Sequence, residues 1–364
     1  MSALAAERHF ATSYREARAK FLQACAGLGL AVQSHPHPLP GREGEALAMD
    51  VARIGAADAE RLLLVSSACH GVEGYCGSGV QLALLSDAGW RDALAASGTA
   101  LLLVHGLNPH GFSWMRRVTN EGVDLNRNWH DFSAPLPPNP GYDELADALV
   151  PATWPPTPAN EARLAAWTQQ HGERAFQAAV SQGQYRHPQG LFFGGTAPTW
   201  SQQTLRQVLR EHARRCRQLA WIDVHTGLGP SGHGEKIFAG DNDAATVARA
   251  KRWWGAEVTT TFDGSSSSAP LTGLMHNVVA QECAQAQYTG IALEYGTQPI
   301  PAVIGALRAD HWLAMHPEAP TEQAQAIRQQ MLAAFFTDTP AWKQAIVEQG
   351  LAACRQALAG LSAG

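Results

Sequence analysis

The feature of this sequence that most constrains its fold is a short apolar run that ends in a glycine-rich turn. Residues 62–65 are typical of a buried parallel strand, and His70 and Glu73 follow them on the turn. Open α/β sheets hold their ligands at the carboxyl ends of the strands, so the turn lies where such a sheet has its crevice. Both side chains can face one ion there, although the motif alone also fits a surface histidine and a helix-capping glutamate.

Further along, strand patterns alternate with helix patterns. Strands are predicted over residues 46–54, 61–67, 99–104, 219–224 and 290–293, with an edge strand at 256–262. Helices are predicted near the N-terminus and over residues 78–87, 159–181, 201–217, 301–315 and from about 321 to the end. Ser78 and Gln81 are typical of a capping box that begins the helix at 78. The alternation predicts the α/β class, a three-layer α/β/α fold with a mixed, mostly parallel central sheet.

Chain length and composition fit a globular protein with a sizeable core. The 364 residues, of which 45% are hydrophobic and 16% charged, allow one large α/β domain or two small ones. Residues 131–158 are rich in proline, yet the strand pattern resumes after them. We therefore interpret residues 1–364 as a single domain with an insert at about 131–200.

The net charge and the cysteine pattern limit which partners the protein is expected to bind and in which cellular compartment it is expected to work. A net charge of −5 offers no basic field for nucleic acid and no polybasic patch for a membrane, and no apolar run is long enough to span a bilayer. The N-terminal segment is charged, unlike a secretion signal, and the six cysteines form no C-x-x-C pair. The expectation is a cytoplasmic protein, and the sequence leaves a homo-oligomer open.

Two later strands also end in polar groups. His225 follows one buried strand and Glu294 follows the last one. With His70 and Glu73, His225 would complete the two imidazoles and one carboxylate of a catalytic zinc site, which keeps a fourth position open for water. Glu294 would then be the general base that takes the proton of that water. Each residue alone also has a structural interpretation, such as a hydrogen-bonded core histidine, but their coincidence at strand ends favours the zinc site.

Candidate anion-binding groups lie between Glu73 and His225 in the sequence. The block at residues 122–129 reads Gly-Val-Asp-Leu-Asn-Arg-Asn-Trp. In it, Arg127 has the planar fork that suits a carboxylate, and Asn126 can add an amide hydrogen bond. Upstream, Arg116 and Arg117 offer positive charge for a developing oxyanion.

Together, these motifs resemble the zinc carboxypeptidase (M14-type) family. The shared order is His-x-x-Glu, Asn-Pro-x-Gly, the block at 122–129, a strand-end His and a strand-end Glu. More narrowly, residues 225–230 and 293–297 are similar to DUF2817, a bacterial branch grouped with aspartoacylase and succinylglutamate desuccinylase. The similarity spans roughly residues 45–315 and implies the carboxypeptidase-like three-layer fold.

The resemblance implies a role for each residue of the site. It makes His70, Glu73 and His225 the ligands of one Zn²⁺ per chain and Glu294 the general base. Asp124 would accept the second ring N–H of His70 and so fix its tautomer, as carboxylates beyond the metal ligands do.

The resemblance also implies how the substrate is held. Asn126 and Arg127 would bind its free carboxylate, and Arg116 would stabilise the oxyanion. Arg116 lies only ten residues before Asn126, a shorter separation than the family shows, so Arg117 competes for that role.

A tyrosine that covers the substrate in carboxypeptidases has no clear counterpart in this sequence. Tyr288 lies too close to Glu294 to match it, and the sequence does not choose between Tyr185 and Tyr295 as substitutes. Amide substrates other than peptides are therefore more plausible than the family name implies.

The hypothesis favoured by the sequence is a zinc-dependent hydrolase that cleaves an amide bond adjacent to a free carboxylate, in the manner of a metallocarboxypeptidase. Its substrate would be a small molecule or a short peptide. The alternatives are an N-acyl-amino-acid deacylase and a non-catalytic carboxylate-binding protein on the same fold.

Overall fold

The computed structural model describes residues 6–363, whose strands form a seven-stranded sheet in the order β1-β2-β4-β3-β5-β7-β6. Its strands are β1 (Val32–Pro36), β2 (Ala48–Ile54), β3 (Arg61–Ser66), β4 (Ala100–His105), β5 (Gln218–Ser231), β6 (Gly234–Phe238) and β7 (Gln287–Gly296). Neighbouring strands among β4, β3, β5 and β7 pair in parallel, whereas β1, β2 and β6 form antiparallel pairs at the two sides. The predicted mixed, mostly parallel sheet is confirmed.

Helices cover both faces of this sheet. The helices that lie wholly within the described residues are α1 (Tyr14–Gly27), α2 (Gly74–Ser86), α3 (Ala88–Ser97), α4 (Pro109–Trp114), α5 (Pro140–Leu149), α6 (Pro158–His171), α7 (Glu173–Ser181), α8 (Trp200–His212), α9 (Ala244–Trp254), α10 (Val278–Glu282), α11 (Ile300–Met315), α12 (Thr321–Phe335) and α13 (Pro340–Ala363). Among them, no helix combines the length and the apolar character needed to cross a bilayer.

Alternation along the central strands divides the core into two layers. On β3, Leu63 and Val65 pack in a cluster with residues of α1, α2 and α13. Leu62 and Leu64 point to the other face and pack in a separate cluster with residues of α8 and α10. Successive strand residues point to opposite faces, so a strand covered on both sides must be apolar throughout. The three-layer α/β/α class is therefore confirmed.

The start of α2 differs from the prediction. The helix begins at Gly74, directly after a 3₁₀ turn, so Ser78 and Gln81 lie inside it and form no capping box. Gln81 is fully buried instead, and its amide nitrogen donates to the carbonyl groups of Val65 and Val104 at 3.0 Å each. A buried amide needs hydrogen-bond partners, and these two carbonyl groups allow Gln81 to lie in the core.

The edges of the sheet also differ from the prediction. Residues 256–262 form no strand and contribute one isolated bridge, between Thr259 and Ile237. The edge at this side is β6, and the other edge is β1; neither was predicted. Both strands are five residues long and partly exposed, so they lack the continuous apolar run that marks the buried strands.

The segment predicted as an insert, residues 131–200, contains α5, α6 and α7. The buried Arg308 on α11 binds it to the rest of the chain. Its guanidinium donates to the carbonyl groups of Ala148 and Leu149 at 3.0 and 2.8 Å, and it pairs with Glu161 at 2.7 Å. The interpretation as one domain with an insert stays a prediction.

The strand order determines where a ligand crevice can form. From β3 the chain passes to β4 on one side, and then crosses back over β3 to form β5 on the other side. The carboxyl ends of β3 and β5 therefore flank the point at which the winding direction reverses. In open α/β sheets, ligands bind at this point.

Gly71→Ala is expected to lower the free energy of unfolding by about 1–3 kcal/mol, the usual cost of overpacking a buried site. A Cβ at position 71 would overlap the backbone of Gly111 and Phe112, which cannot rotate away as a side chain could. Gly89→Ala in α3 is the matched control, because its Cβ would meet no atom closer than 3.6 Å. Urea unfolding followed by circular dichroism measures both, and equal midpoints for the two variants would contradict the prediction.

Candidate metal centre

The turn after β3 carries the first two candidate ligands. His70 immediately precedes the 3₁₀ turn Gly71–Glu73, and Glu73 ends it. Both side chains are buried, and His70 Nδ1 lies 2.8 Å from Glu73 Oε1. The backbone N–H groups of Gly71 and Val72 donate to carbonyl groups of the segment after α4, at 3.0 and 2.9 Å, which fixes the turn against that segment.

The third candidate ligand, His225, comes from β5. It is buried, its Nδ1 lies 3.0 Å from Glu73 Oε2, and the same atom lies 3.3 Å from Nδ1 of His70. The N–H of Thr226 also donates to Glu73 Oε2, at 3.1 Å. The structure thus brings together the three residues that the sequence analysis selected, although 152 positions separate Glu73 from His225.

The donor atoms of this cluster fit a metal ion of the zinc type. Zinc–nitrogen bonds of about 2.0–2.1 Å in tetrahedral geometry place two ligand atoms about 3.4 Å apart. The nitrogen atoms of His70 and His225 are 3.3 Å apart, and each is 2.8–3.0 Å from an oxygen of Glu73. Two imidazoles and a carboxylate are also the donor types of catalytic zinc sites.

Carboxylates hold the outer nitrogen of each histidine. Asp124 Oδ1 lies 3.2 Å from Nε2 of His70, the contact expected from the sequence, and Asp223 Oδ2 lies 2.5 Å from Nε2 of His225. The second oxygen of Asp223 accepts from the Ser66 hydroxyl at 2.6 Å. The sequence analysis did not find Asp223, although its position two residues before His225 on a strand places both on one face.

Arg117, and not Arg116, lies against the metal cluster. Its Nε donates to Asp124 at 2.8 Å, one terminal nitrogen donates to Glu73 at 3.2 Å, and the other lies 2.8 Å from Nε2 of His70. Arg116 does not line the cavity beside the cluster, and its guanidinium pairs with Asp310 at 2.9 Å. The oxyanion role that the sequence analysis gave to Arg116, with Arg117 as competitor, stays a prediction. The two arginines are adjacent in sequence, and they differ in the side chains that the fold places beside each guanidinium.

A cavity lies beside the metal cluster, and Asn126 and Arg127 line it together with His225. Arg127 is buried, and its guanidinium donates to the carbonyl groups of Ser181, at 3.0 and 2.7 Å, and of Asn126, at 2.9 Å. A guanidinium has five N–H groups, so two of them have no protein partner among the described residues. Asn126 Oδ1 accepts from the N–H of Met275 at 2.9 Å, and its amide nitrogen has no partner within residues 6–363.

Glu294 lies next to His225 across the pairing of β5 with β7. One of its oxygens accepts from the N–H of Leu228 at 3.0 Å. Burial, together with the charge of Glu73, raises the pKa of Glu294 to about 8. Burial also acts to raise the pKa of Glu73, but His70 and His225 outweigh it and hold that pKa below its usual range. Such divergent environments distinguish a proton-transfer group from a permanently charged one.

A second group of potential ligands shares His225 with Cys69 and Asp223. It is a poorer site, because burial raises the pKa of the Cys69 thiol well above its ordinary value. Since a thiolate is the metal-binding form of cysteine, the cluster of His70, Glu73 and His225 is the better candidate.

The structure places neither proposed substitute tyrosine over the metal cluster. The hydroxyl of Tyr185 donates to the carbonyl of Arg127 at 2.9 Å and lies 2.6 Å from His130 Nε2. Tyr295 is buried and donates to the carbonyl of Ile346 in α13, at 3.0 Å. Tyr288 lines the cavity beside the metal cluster.

Comparison with solved structures finds distant likenesses to carboxypeptidases. A protein from Shewanella denitrificans OS-217, provisionally named carboxypeptidase A, is 14% identical with a TM-score of 0.48, over 95% of this chain and 69% of that chain. Carboxypeptidase A from Helicoverpa armigera is 13% identical with a TM-score of 0.43, over 88% and 73%. A metallo-carboxypeptidase from Burkholderia cenocepacia is 14% identical with a TM-score of 0.40, over 88% and 67%. At these TM-scores the likenesses carry no weight for the function.

Comparison with family models is more specific. No functionally curated protein matches the chain. A family model described as "Protein of unknown function (DUF2817)" matches residues 10–349, which is most of the chain and includes every candidate site residue named above. The chain therefore belongs to the DUF2817 family.

Proposed function

We propose that this protein is a zinc-dependent hydrolase that cleaves an amide bond adjacent to a free carboxylate, as metallocarboxypeptidases do. One observation carries the proposal. Two imidazoles and a carboxylate converge at the point where the strand order reverses, and a second buried carboxylate, Glu294, lies beside them without belonging to the donor set.

His70, Glu73 and His225 would hold the metal through Nδ1, a carboxylate oxygen and Nδ1. Asp124 and Asp223 would fix the two rings by accepting from their Nε2 atoms. When bound, zinc supplies Lewis acidity, which polarises a carbonyl oxygen and lowers the pKa of water to about 7.

Glu294 is proposed as the general base. Burial raises its pKa to about 8 in the metal-free chain, which moves a carboxylate toward the pKa range that proton transfer near neutral pH requires. The N–H of Leu228 holds one of its oxygens and leaves the other free to take a proton from the attacking water and pass it to the leaving amine.

Arg117 is proposed to stabilise the oxyanion in place of Arg116. A neutral imidazole carries one N–H, so Nε2 of His70 cannot donate to Asp124 and accept from Arg117 at the same time. If Nδ1 is a metal ligand, Nε2 carries the proton and donates to Asp124. One donor of Arg117 is then released toward the cavity, where negative charge develops on the substrate.

The substrate carboxylate is assigned to Asn126 and Arg127, which have N–H groups without a protein partner among the described residues. Peptides and N-acyl amino acids both present a carboxylate next to an amide, and the same site would serve either. A screen over N-acetyl amino acids and blocked dipeptides, with and without a chelator, separates them by which of the two substrate classes releases its free amino acid. A non-catalytic carboxylate-binding protein would release none.

Zinc content is expected to be about one equivalent per chain in the wild-type protein and below about a tenth of that in His225→Ala, because catalytic zinc sites need three protein ligands. His233→Ala, a histidine exposed at the turn between β5 and β6, should keep the metal. Elemental analysis after dialysis against buffered zinc measures all three. Equal metal content in the two variants would refute the ligand assignment.

Glu294→Gln is expected to keep the zinc and to lower kcat by about 10²–10⁴-fold, the usual contribution of a general base. The change preserves the shape of the side chain and its ability to accept from Leu228. Turnover of the best substrate from the screen is compared at equal metal content, and an unchanged kcat would rule Glu294 out as the base.

Arg117→Lys is expected to lower kcat by about 10²–10³-fold, as the loss of an oxyanion donor does. Arg116→Lys, the matched control one residue away, should change kcat by less than about threefold, because Arg116 does not line the cavity and a lysine can keep the ion pair with Asp310. Steady-state kinetics measure kcat for both variants. A larger loss in the Arg116 variant would restore the original assignment.

A further inference from the structure

Phe192 has a backbone conformation that is costly for a phenylalanine. Its φ of 53° lies in the left-handed region, which a bulky residue rarely adopts. Glycine adopts this conformation without a steric penalty, and the chain has glycines nearby at positions 190, 194 and 195. A turn alone would therefore favour glycine at position 192 as well. Strained residues persist where the surrounding structure holds them, and they concentrate at functional sites.

The loop around Phe192 holds it in this conformation. The N–H of Gln184 donates to the carbonyl of Phe192 at 3.2 Å, and the N–H of Gly194 donates to the carbonyl of Gln184 at 2.9 Å. The side-chain nitrogen of Gln184 also donates to the carbonyl groups of His187 and Leu191, at 2.8 and 3.2 Å. Phe192 is 6% exposed and lines the cavity beside the metal cluster. Its ring therefore has a defined place at the cavity wall.

The ring of Phe192 lies close to two guanidinium groups. The Cζ atoms of Arg117 and Arg127 lie over the ring, 5.1 and 5.5 Å from its centroid. Both distances are within the range, up to about 6 Å, at which the negative face of an aromatic ring attracts a cation. Arg127 is buried and the side chain of Arg117 is 11% exposed, so water screens these contacts little.

The two arginines lie near each other despite their like charges. Burial lowers the pKa of Arg127, and the charge of Arg117 adds to this effect. Asp124 attracts both cations, but it accepts from Nε of Arg117 at 2.8 Å and so occupies an N–H group that an anion could use. An aromatic ring attracts a cation without accepting a strong hydrogen bond. Phe192 can therefore stabilise both arginines and leave their N–H groups to a ligand.

We propose that Phe192 is a positioning residue for Arg117 and Arg127. Its ring holds both guanidinium groups at the cavity wall, where Arg127 would bind the substrate carboxylate and Arg117 would stabilise the oxyanion. These two roles rest on the proposed function. The positioning itself does not, because it affects the binding of any small carboxylate in the cavity. The strained backbone at position 192 is the consequence of placing one ring against two cations.

The test compares a carboxylate with the matching amide, since only the carboxylate carries the charge that the arginines would bind. The zinc-loaded full-length protein is titrated calorimetrically with 3-phenylpropanoate and with 3-phenylpropanamide. In Phe192→Leu, the preference for the carboxylate is expected to fall about tenfold, the order of a desolvated cation–π contact expressed as a ratio of Kd values. Phe193→Leu, the matched control, should keep the preference, because Phe193 is equally buried and no arginine or lysine of residues 6–363 lies over its ring.

A second variant separates the attraction of the cations from packing. Replacing Phe192 by trifluorophenylalanine keeps the ring and nearly its size, while fluorine withdraws electron density from the ring faces and weakens the cation–π attraction. The preference for the carboxylate is expected to fall by less than in Phe192→Leu, with the affinity for the amide unchanged. A loss in Phe192→Leu that the fluorinated variant does not share would show a packing role only and overturns the proposal.

The wild-type protein gives two further decisive outcomes. Equal affinity for the carboxylate and the amide overturns the proposal, as does a preference that both Phe192 variants retain. If the preference falls in both variants and the protein hydrolyses no amide, the positioning role is supported and the proposed hydrolase is refuted. If the preference stays constant while turnover depends on Glu294, the hydrolase stands and the positioning role is refuted.

Discussion

The carboxylate of Glu73 holds the candidate site together. One of its oxygens lies against His70 on its own turn, and the other lies against His225 on the neighbouring strand. This contact joins the end of β3 to β5 without any backbone pairing at that level. It persists because both partners are buried and a carboxylate out of water needs donors on each oxygen.

Charge within the site explains why a cation would stabilise it. Glu73, Asp124, Asp223 and Glu294 are all buried within a short distance of the two histidines, and Arg117 contacts two of these carboxylates. Burial, together with the negative charge of Glu73, makes Glu294 retain its proton more readily than an ordinary glutamate. A divalent ion would oppose this effect, because bound cations are often the largest local charges in a site.

The sheet shapes the cavity as well as the metal cluster. His225 and Glu294 lie opposite each other on one face of adjacent strands, and Trp221 and Ala292 continue that face away from the metal cluster. The alternation that directs His225 toward the metal cluster thus also directs Trp221 and Ala292 toward the cavity beside it. The metal cluster would therefore depend on this strand register, and a one-residue slip would turn His225 and Glu294 to the other face of the sheet.

The sequence by itself determined the buried strands and the residues at their carboxyl ends, because apolar runs and the polar groups that follow them are local patterns. That was enough to predict the three-layer fold and to select His70, Glu73, His225 and Glu294. Only the tertiary structure decided that Arg117 lines the cavity and Arg116 does not, that Asp223 contacts His225, and that Ala292 borders the cavity. These outcomes depend on which distant side chain or backbone lies opposite each residue, and no local pattern contains that information.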